Sequence, residues 1–216
     1  MLIYGDIVGV NKDTDEVLIR AQMDSVYKID RQMIRHAEIR LNDGRTISAD
    51  QRRKIYATLG DISAYTGHTV GELKDHFKAR LLAQTGDRWF SLSNVDMTTA
   101  NQYLESLINF CLEWQIPTLD TLLDRAPDTS RYLYACLVYR RCCICGGKAE
   151  LHHWQAVGMG RNRKEICHEG MEAVSLCRTH HAEAHQIGKV EFESRYHVYG
   201  IKLDQELCET WKLKSA

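Results

Sequence analysis

The chain opens with two apolar stretches rich in β-branched residues, 2–10 and 16–21, on either side of the polar segment NKDTD. Two such runs around a short polar turn are typical of a β-hairpin. Residues 37–41, which precede the turn sequence NDG, have the pattern of a further strand. The start of the chain is therefore predicted to form a small sheet.

Apolar residues then recur at the spacing of amphipathic helices in four stretches: 48–63, 69–85, 96–116 and 129–141. Ser48 and Gln51 stand in the spacing of a capping box, in which each side chain bonds the backbone N–H of the other residue. Thr69 and Glu72 repeat this pattern at the second stretch. The third stretch is predicted to bury one face, including Trp114, and to end before a proline.

The composition changes near residue 130. Residues 1–130 carry 15 Lys and Arg against 19 Asp and Glu, a net charge of −4, whereas residues 131–216 carry 13 against 10, a net charge of +3. Seven of the ten histidines and most of the eight cysteines also lie in the second segment. We therefore predict two domains, 1–130 and 131–216, with the chemistry in the second.

No targeting or membrane segment is predicted. The N-terminus MLIYGDIVGV has neither a basic start nor a small-residue cleavage site, and no run approaches the roughly 20 apolar residues of a membrane helix. We expect a cytoplasmic protein with no membrane partner. In a reducing compartment, clustered cysteines more often bind metal than form disulfides.

The segment RCCICGGKAELHHWQ, residues 141–155, begins a metal-binding pattern. Cys142 and Cys145 form a C-x2-C pair, and a C-x2-H pair, Cys177 and His180, follows. Two short pairs at this separation can meet around one tetrahedral Zn²⁺ ion, although reduced thiols packed without metal are the alternative. Four further cysteines are expected to be bystanders: Cys111, Cys136, Cys143 and Cys208.

Among the histidines outside this predicted zinc site, four stand as two close pairs, one between the ligand pairs and one just after the second: His152, His153, His181 and His185. His181 and His185 lie one helical turn apart, a spacing that lets two imidazoles bind one cation. A closed zinc site has no use for additional ligands. The pattern therefore predicts a second cation site, with chance clustering as the alternative.

These motifs resemble the HNH, or ββα-metal, endonucleases in which a zinc knuckle holds the strand–loop–strand–helix core. ELHHW at 150–154 is similar to the first strand of the motif, and LCRTHHAEAH at 176–185 is similar to its last strand and metal-binding helix. The resemblance covers residues 140–190. It implies an α+β chain in which a small sheet and helices precede a zinc-clasped ββα-metal domain.

The resemblance also implies roles for the histidines. His153 would be the general base that takes a proton from the attacking water, and His152 would bind a catalytic Mg²⁺ or Mn²⁺. His181 and His185 would be the remaining protein ligands of that cation.

One position departs from the family pattern. The middle asparagine of the motif is absent from its usual place, where the sequence reads MEA at 171–173. Glu172 or Asn162 is expected to take its role, and the sequence leaves both alternatives open.

The segment between the two halves of the motif, GMGRNRKEICHEG at 158–170, is basic and glycine-rich. Three of its side chains are expected to meet DNA phosphates, unless the loop only faces water: Arg161, Arg163 and Lys164. Two neighbours are expected to be ordinary loop residues, with a role as metal ligands as the alternative: Cys167 and His168.

The segment GRTISADQRRKIYATLGDISAYTG, residues 44–67, looks like the Orf recombination mediators of lambdoid phages. That resemblance implies single-stranded DNA binding, a homodimer and contact with single-stranded-DNA-binding protein. Three basic residues near the positive end of the predicted helix are candidate DNA contacts, with a solvated helix face as the alternative: Arg52, Arg53 and Lys54.

Together the two resemblances match the HNHc nucleases of tailed phages that infect Gram-positive bacteria. They imply an endonuclease that cuts single-stranded or branched DNA during recombination or replication in the host cytoplasm. A non-catalytic DNA-binding mediator with a structural zinc module is the alternative, and the additional histidines favour the enzyme. An HNH homing or restriction enzyme would need a sequence-reading module, for which we find no signature.

Overall fold

The computed structural model describes residues 5–21, 44–155 and 166–215. Its elements in chain order are β1 Gly5–Asn11, β2 Glu16–Ala21, α1 Ala49–Thr66, α2 Val70–Thr85, α3 Met97–Trp114, α4 Leu122–Arg125, α5 Thr129–Val138, β3 Glu150–His153, β4 Glu172–Leu176, α6 Arg178–Ile187, α7 Lys189–Tyr196, β5 Ile201–Lys202 and α8 Gln205–Trp211. The predicted α+β class is confirmed. The strand predicted over 37–41 lies outside the described residues.

The predicted N-terminal hairpin forms from β1 and β2. The two strands pair antiparallel, and a bulge between Ile7 and Gly9 shifts their register. A bulge places an extra residue in one strand and increases the local twist of the pair.

Both predicted capping boxes start their helices. At α1, Ser48 Oγ accepts from the backbone N–H of Gln51 at 3.1 Å, and Ser48 N–H donates to Gln51 Oε1 at 2.8 Å. Thr69 and Glu72 make the same reciprocal pair at α2. Each helix ends at a glycine with positive φ, a conformation that glycine adopts without steric cost.

The third helix, α3, packs with α1 and α2 around one core. Large side chains from the three helices are fully buried there: Ile55, Leu59, Ile62, Phe77, Tyr103, Leu104, Leu107 and Leu112. The expectation that Trp114 is buried is wrong, since 59% of it is exposed. Trp114 is the last residue of α3 and lies beside the ring of Phe110, at the edge of the apolar face.

The C-terminal elements form a three-stranded antiparallel sheet, ordered β3-β4-β5, with helices packed against it. β3, β4 and α6 follow one another in the strand–loop–strand–helix order that the HNH resemblance implies. The main core contains side chains from both parts of the chain, such as Leu104 and Leu176, and the domain boundary at residue 130 stays a prediction. Within the described ranges, no helix has both the length and the apolar character needed to cross a membrane.

Candidate functional site

The first pair of predicted zinc ligands lies in a tight turn between α5 and β3. Cys142 N–H donates to the carbonyl of Gly147 at 2.7 Å, and Gly146 N–H donates to the carbonyl of Cys142 at 2.8 Å. Gly146 has a φ of 70°, a conformation that side chains other than glycine rarely adopt. The turn thereby brings Cys145 back beside Cys142.

The second pair lies where β4 runs into α6. Cys177 is the N-cap residue of α6, and His180 is in the first turn of the helix. Cys143 N–H donates to the carbonyl of Ser175 at 2.9 Å, which fastens the cysteine turn to β4. The cysteine turn and the start of α6 therefore direct four ligand atoms toward one point.

The distances fit a tetrahedral metal site. The four ligand atoms all lie within 4.8 Å of one another. Cys145 Sγ is 3.7 Å from Cys177 Sγ, and His180 Nδ1 is 3.4 Å from Cys142 Sγ and 3.2 Å from Cys177 Sγ. Zinc with bond lengths of about 2.0–2.3 Å to nitrogen and sulfur requires ligand separations of roughly 3.4–3.8 Å. Three cysteines and one histidine could hold zinc here.

The thiols of this cluster differ in acidity. Burial raises the pKa of the Cys142 thiol to about 12. Burial also raises the pKa of the Cys177 thiol, but hydrogen bonds from the backbone N–H of His180 and from the thiols of Cys145 and Cys142 lower it. The hydrogen bonds outweigh burial, so the pKa of Cys177 lies below its ordinary value. Because zinc binds the thiolate, metal binding at this cluster must displace protons.

A second cluster consists of three histidines on β3 and α6. The ring centroid of His152 is 4.7 Å from that of His181 and 4.9 Å from that of His185. The rings of His181 and His185 stack with centroids 5.0 Å apart, as their spacing of one helical turn predicts. One nitrogen of each ring lies within 4.8 Å of the other two. Three imidazoles around one point could hold a cation and leave positions open for water and substrate.

His152 is suited to bind a cation because it stays uncharged. Its burial lowers its pKa to about 4, and the neighbouring imidazoles of His181, His185 and His153 act in the same direction. The ring is therefore neutral near pH 7 and retains a lone pair for a metal.

Glu150 lies behind one of these histidines. Its Oε2 is 3.3 Å from Nδ1 of His181. Glu150 precedes His152 by two positions on β3, so both side chains project from the same face of the strand. A carboxylate on one ring nitrogen fixes the tautomer and directs the other nitrogen, here Nε2 of His181, to a metal.

His153, the predicted general base, projects from the opposite face of β3. Its Nε2 lies 2.9 Å from Nδ1 of His168, and the ring centroids are 5.0 Å apart. His168 was expected to be an ordinary loop residue, but it is only 2% exposed. The hydrogen bond therefore joins the predicted base to a buried imidazole.

Of the two residues considered for the role of the middle asparagine, Glu172 lies within the described ranges and Asn162 does not. Glu172 begins β4, and its Oε2 accepts a hydrogen bond from Gln155 Nε2 at 3.3 Å. Asn162 lies outside the described residues, as do the basic loop residues Arg161, Arg163 and Lys164. All of these roles stay predictions.

The basic residues predicted to contact DNA lie in the first turns of α1. Arg52 donates to two backbone carbonyls of the turn before α3, those of Leu92 at 3.1 Å and Ser93 at 2.8 Å. Arg53 and Lys54 pair with one carboxylate, that of Asp50, at 2.5 and 3.2 Å. Their DNA-binding role stays a prediction.

Two residues of the site, Glu150 and His168, were not predicted from the sequence. The alternation of side chains along β3 could have placed Glu150 beside His152 and hence near the histidine cluster. His168 offered no such signal, because its contact with His153 depends on how the intervening segment folds.

The comparisons with known proteins agree with this geometry. A family model described as "Putative HNHc nuclease" matches residues 21–214. No curated protein and no solved structure matches the chain. The matched range includes nearly all of the chain and both clusters. The chain therefore belongs to the HNHc nuclease family.

Proposed function

We propose that the protein is a metal-dependent DNA endonuclease that hydrolyses phosphodiester bonds with His153 as the general base. The observation that carries this proposal is the convergence of His152, His181 and His185 on one point, with His153 next in sequence on β3. Membership of the HNHc nuclease family supports the same reaction class.

The chemistry divides between the two clusters. Cys142, Cys145, Cys177 and His180 would hold a structural Zn²⁺, which would keep the start of α6 against the cysteine turn. His152, His181 and His185 would hold the catalytic cation, Mg²⁺ or Mn²⁺, which would supply positive charge to polarise the scissile phosphate and stabilise the leaving oxygen. His153 takes the proton of the attacking water. The expected products carry 5′-phosphate and 3′-hydroxyl ends.

The proposed substrate is single-stranded or branched DNA formed during recombination or replication of a tailed phage in its host cytoplasm. What supports this part is the resemblance of residues 44–67 to the Orf mediators. A homodimer and contact with single-stranded-DNA-binding protein belong to the same proposal. Glu172 or Asn162 assists in the role of the missing asparagine.

Cleavage of single-stranded, duplex, flap and junction DNA, with and without Mg²⁺ or Mn²⁺, tests the proposal. We expect cation-dependent cleavage, with flap, junction or single-stranded DNA preferred over duplex. A protein that binds these DNAs but cuts none of them with either cation would instead be the non-catalytic mediator.

The His153→Ala variant tests the assignment of the base. Because a general base contributes roughly 100- to 10,000-fold, we expect cleavage to fall by at least about 100-fold. Zinc content and DNA binding should stay near the wild-type values, since the substitution leaves both ligand sets intact. Cleavage at the wild-type rate would show that another group takes the proton.

A further inference from the structure

His168 is fixed in place by its own backbone. Its N–H donates to the carbonyl of Lys214 at 2.8 Å, and its carbonyl accepts from Met171 N–H at 3.0 Å. Gly170, two residues later, donates to the carbonyl of Leu203 at 2.7 Å. These bonds fasten the segment before β4 to the C-terminal part of the chain, so a ring with 2% exposure has little freedom to move.

The buried ring needs hydrogen-bonding partners because unsatisfied polar atoms are costly inside a protein. Its Nδ1 has such a partner in Nε2 of His153, at a normal separation of 2.9 Å. We propose that His168 is a positioning residue for DNA cleavage: through this bond it holds the His153 ring in the orientation and tautomer that accept a proton from water.

The bond matters because a neutral imidazole carries its hydrogen on one nitrogen and accepts a proton on the other. Under this proposal, Nε2 of His153 carries the hydrogen of this bond and donates to Nδ1 of His168, which leaves Nδ1 of His153 as the accepting atom. A ring that rotated or exchanged its hydrogen between the two nitrogens would spend less time in the reactive arrangement. This role rests on the proposed function, since His168 acts on the reaction only through His153.

Two substitutions at this position separate positioning from packing. His168→Leu fills the space but removes the hydrogen bond, whereas His168→Asn keeps a polar atom near the place of Nδ1. We expect the leucine variant to lose about 10- to 100-fold in kcat with little change in KM, as outer partners of a catalytic group do. The asparagine variant should recover most of that loss.

The same cleavage assay includes a control variant and defines the results that would contradict the proposal. His76→Leu, an exposed histidine on α2, should leave kcat and KM unchanged. A zinc-containing, folded His168→Leu protein with wild-type kcat would overturn the proposal. So would an asparagine variant as slow as the leucine variant, because that result would assign His168 a packing role.

A second measurement reads the tautomer in the wild-type chain and does not depend on cleavage. Two-bond ¹H–¹⁵N correlation spectra of histidine-labelled protein report which ring nitrogen carries the hydrogen, and the His153→Gln variant identifies the His153 signals. We expect one tautomer for His153, with the hydrogen on Nε2. Averaged signals from two exchanging tautomers, or a hydrogen on Nδ1, would overturn the positioning role. If the protein cuts no DNA, this spectrum still tests the bond separately from the proposed function.

Discussion

At the scale of single residues, the proposed cation site depends on which nitrogen each ring presents. His152 is kept neutral by its burial, so its lone pair is available near pH 7. His181 is oriented by a different group, since Glu150 lies at its Nδ1 and leaves Nε2 for the cluster. Both rings are thus prepared for a cation by groups outside the ligand set.

Glu150→Gln tests the contribution of the carboxylate at this scale. The amide occupies the same space but carries no charge, so we expect affinity for the catalytic cation to fall by about 10- to 100-fold. Titration of zinc-loaded protein with Mn²⁺, followed by calorimetry, measures this affinity. Glu193→Gln on α7 is the matched control and should bind Mn²⁺ as the wild type does. Unchanged affinity in the Glu150 variant would contradict the orienting role.

At the scale of elements, the two clusters share one helix. His180 and His181 are adjacent in α6, yet His180 belongs to the cysteine cluster and His181 to the histidine cluster. The cysteine cluster also joins the turn before β3 to the start of α6. Zinc bound there would therefore fix the position of α6 relative to β3. That position sets the distance between His181 and His152.

Two exposed cysteines offer a direct test of this clasp. Cys145→Ser should lose the zinc and unfold the C-terminal half, because metal binding and folding are coupled in such sites. Cys167→Ser changes the same atom in an exposed residue outside the cluster and should keep one zinc per chain. Elemental analysis and amide hydrogen exchange over 141–215 measure both effects. Freshly folded wild-type protein without zinc would end the assignment.

A close contact of Gly200, the residue before β5, with Trp154, the residue after β3, allows a second test at the element scale. A Cβ on Gly200 would lie 2.6 Å from Cβ of Trp154 and 2.9 Å from Cβ of Glu172. Gly200→Ala should therefore lower the free energy of unfolding by about 1–3 kcal/mol. Gly60→Ala, inside α1 with open space around it, should raise it by roughly 0.5–1 kcal/mol. Chemical denaturation with zinc present compares the two, and equal stabilities would contradict the steric argument.

At the scale of the whole molecule, features that depend on nearby residues could be predicted from the sequence more fully than contacts between distant residues. The capping boxes, the hairpin and the two Cys/His pairs each depend on residues a few positions apart. The structure forms the boxes and the hairpin and brings the two pairs together. Trp114 was assigned to the core because helical spacing gives a direction but does not show where a helix face ends. The pairing of His153 with His168 could not be predicted, because it requires a loop and the C-terminal segment to meet.

The distribution of charge belongs to the same scale. The first 130 residues carry a net charge of −4, which opposes a general attraction to phosphate. Arg53 and Lys54 already pair with Asp50 on the surface of α1. Exposed ion pairs of this kind are weak and exchange readily, so DNA phosphates can compete for both cations.

Replacing Arg53 and Lys54 by alanine in the full-length His153→Ala protein tests whether α1 contacts DNA. Each lost phosphate contact lowers the slope of log affinity against log salt by about 0.7 for single strands, so we expect a change of about 1.4. Arg52 is left intact because it supports the turn before α3. The double change Lys74→Ala and Arg80→Ala on α2 removes the same charge and should leave the slope unchanged. Equal slopes for both variants would mean that α1 presents only a solvated face, and that DNA is bound elsewhere in the chain.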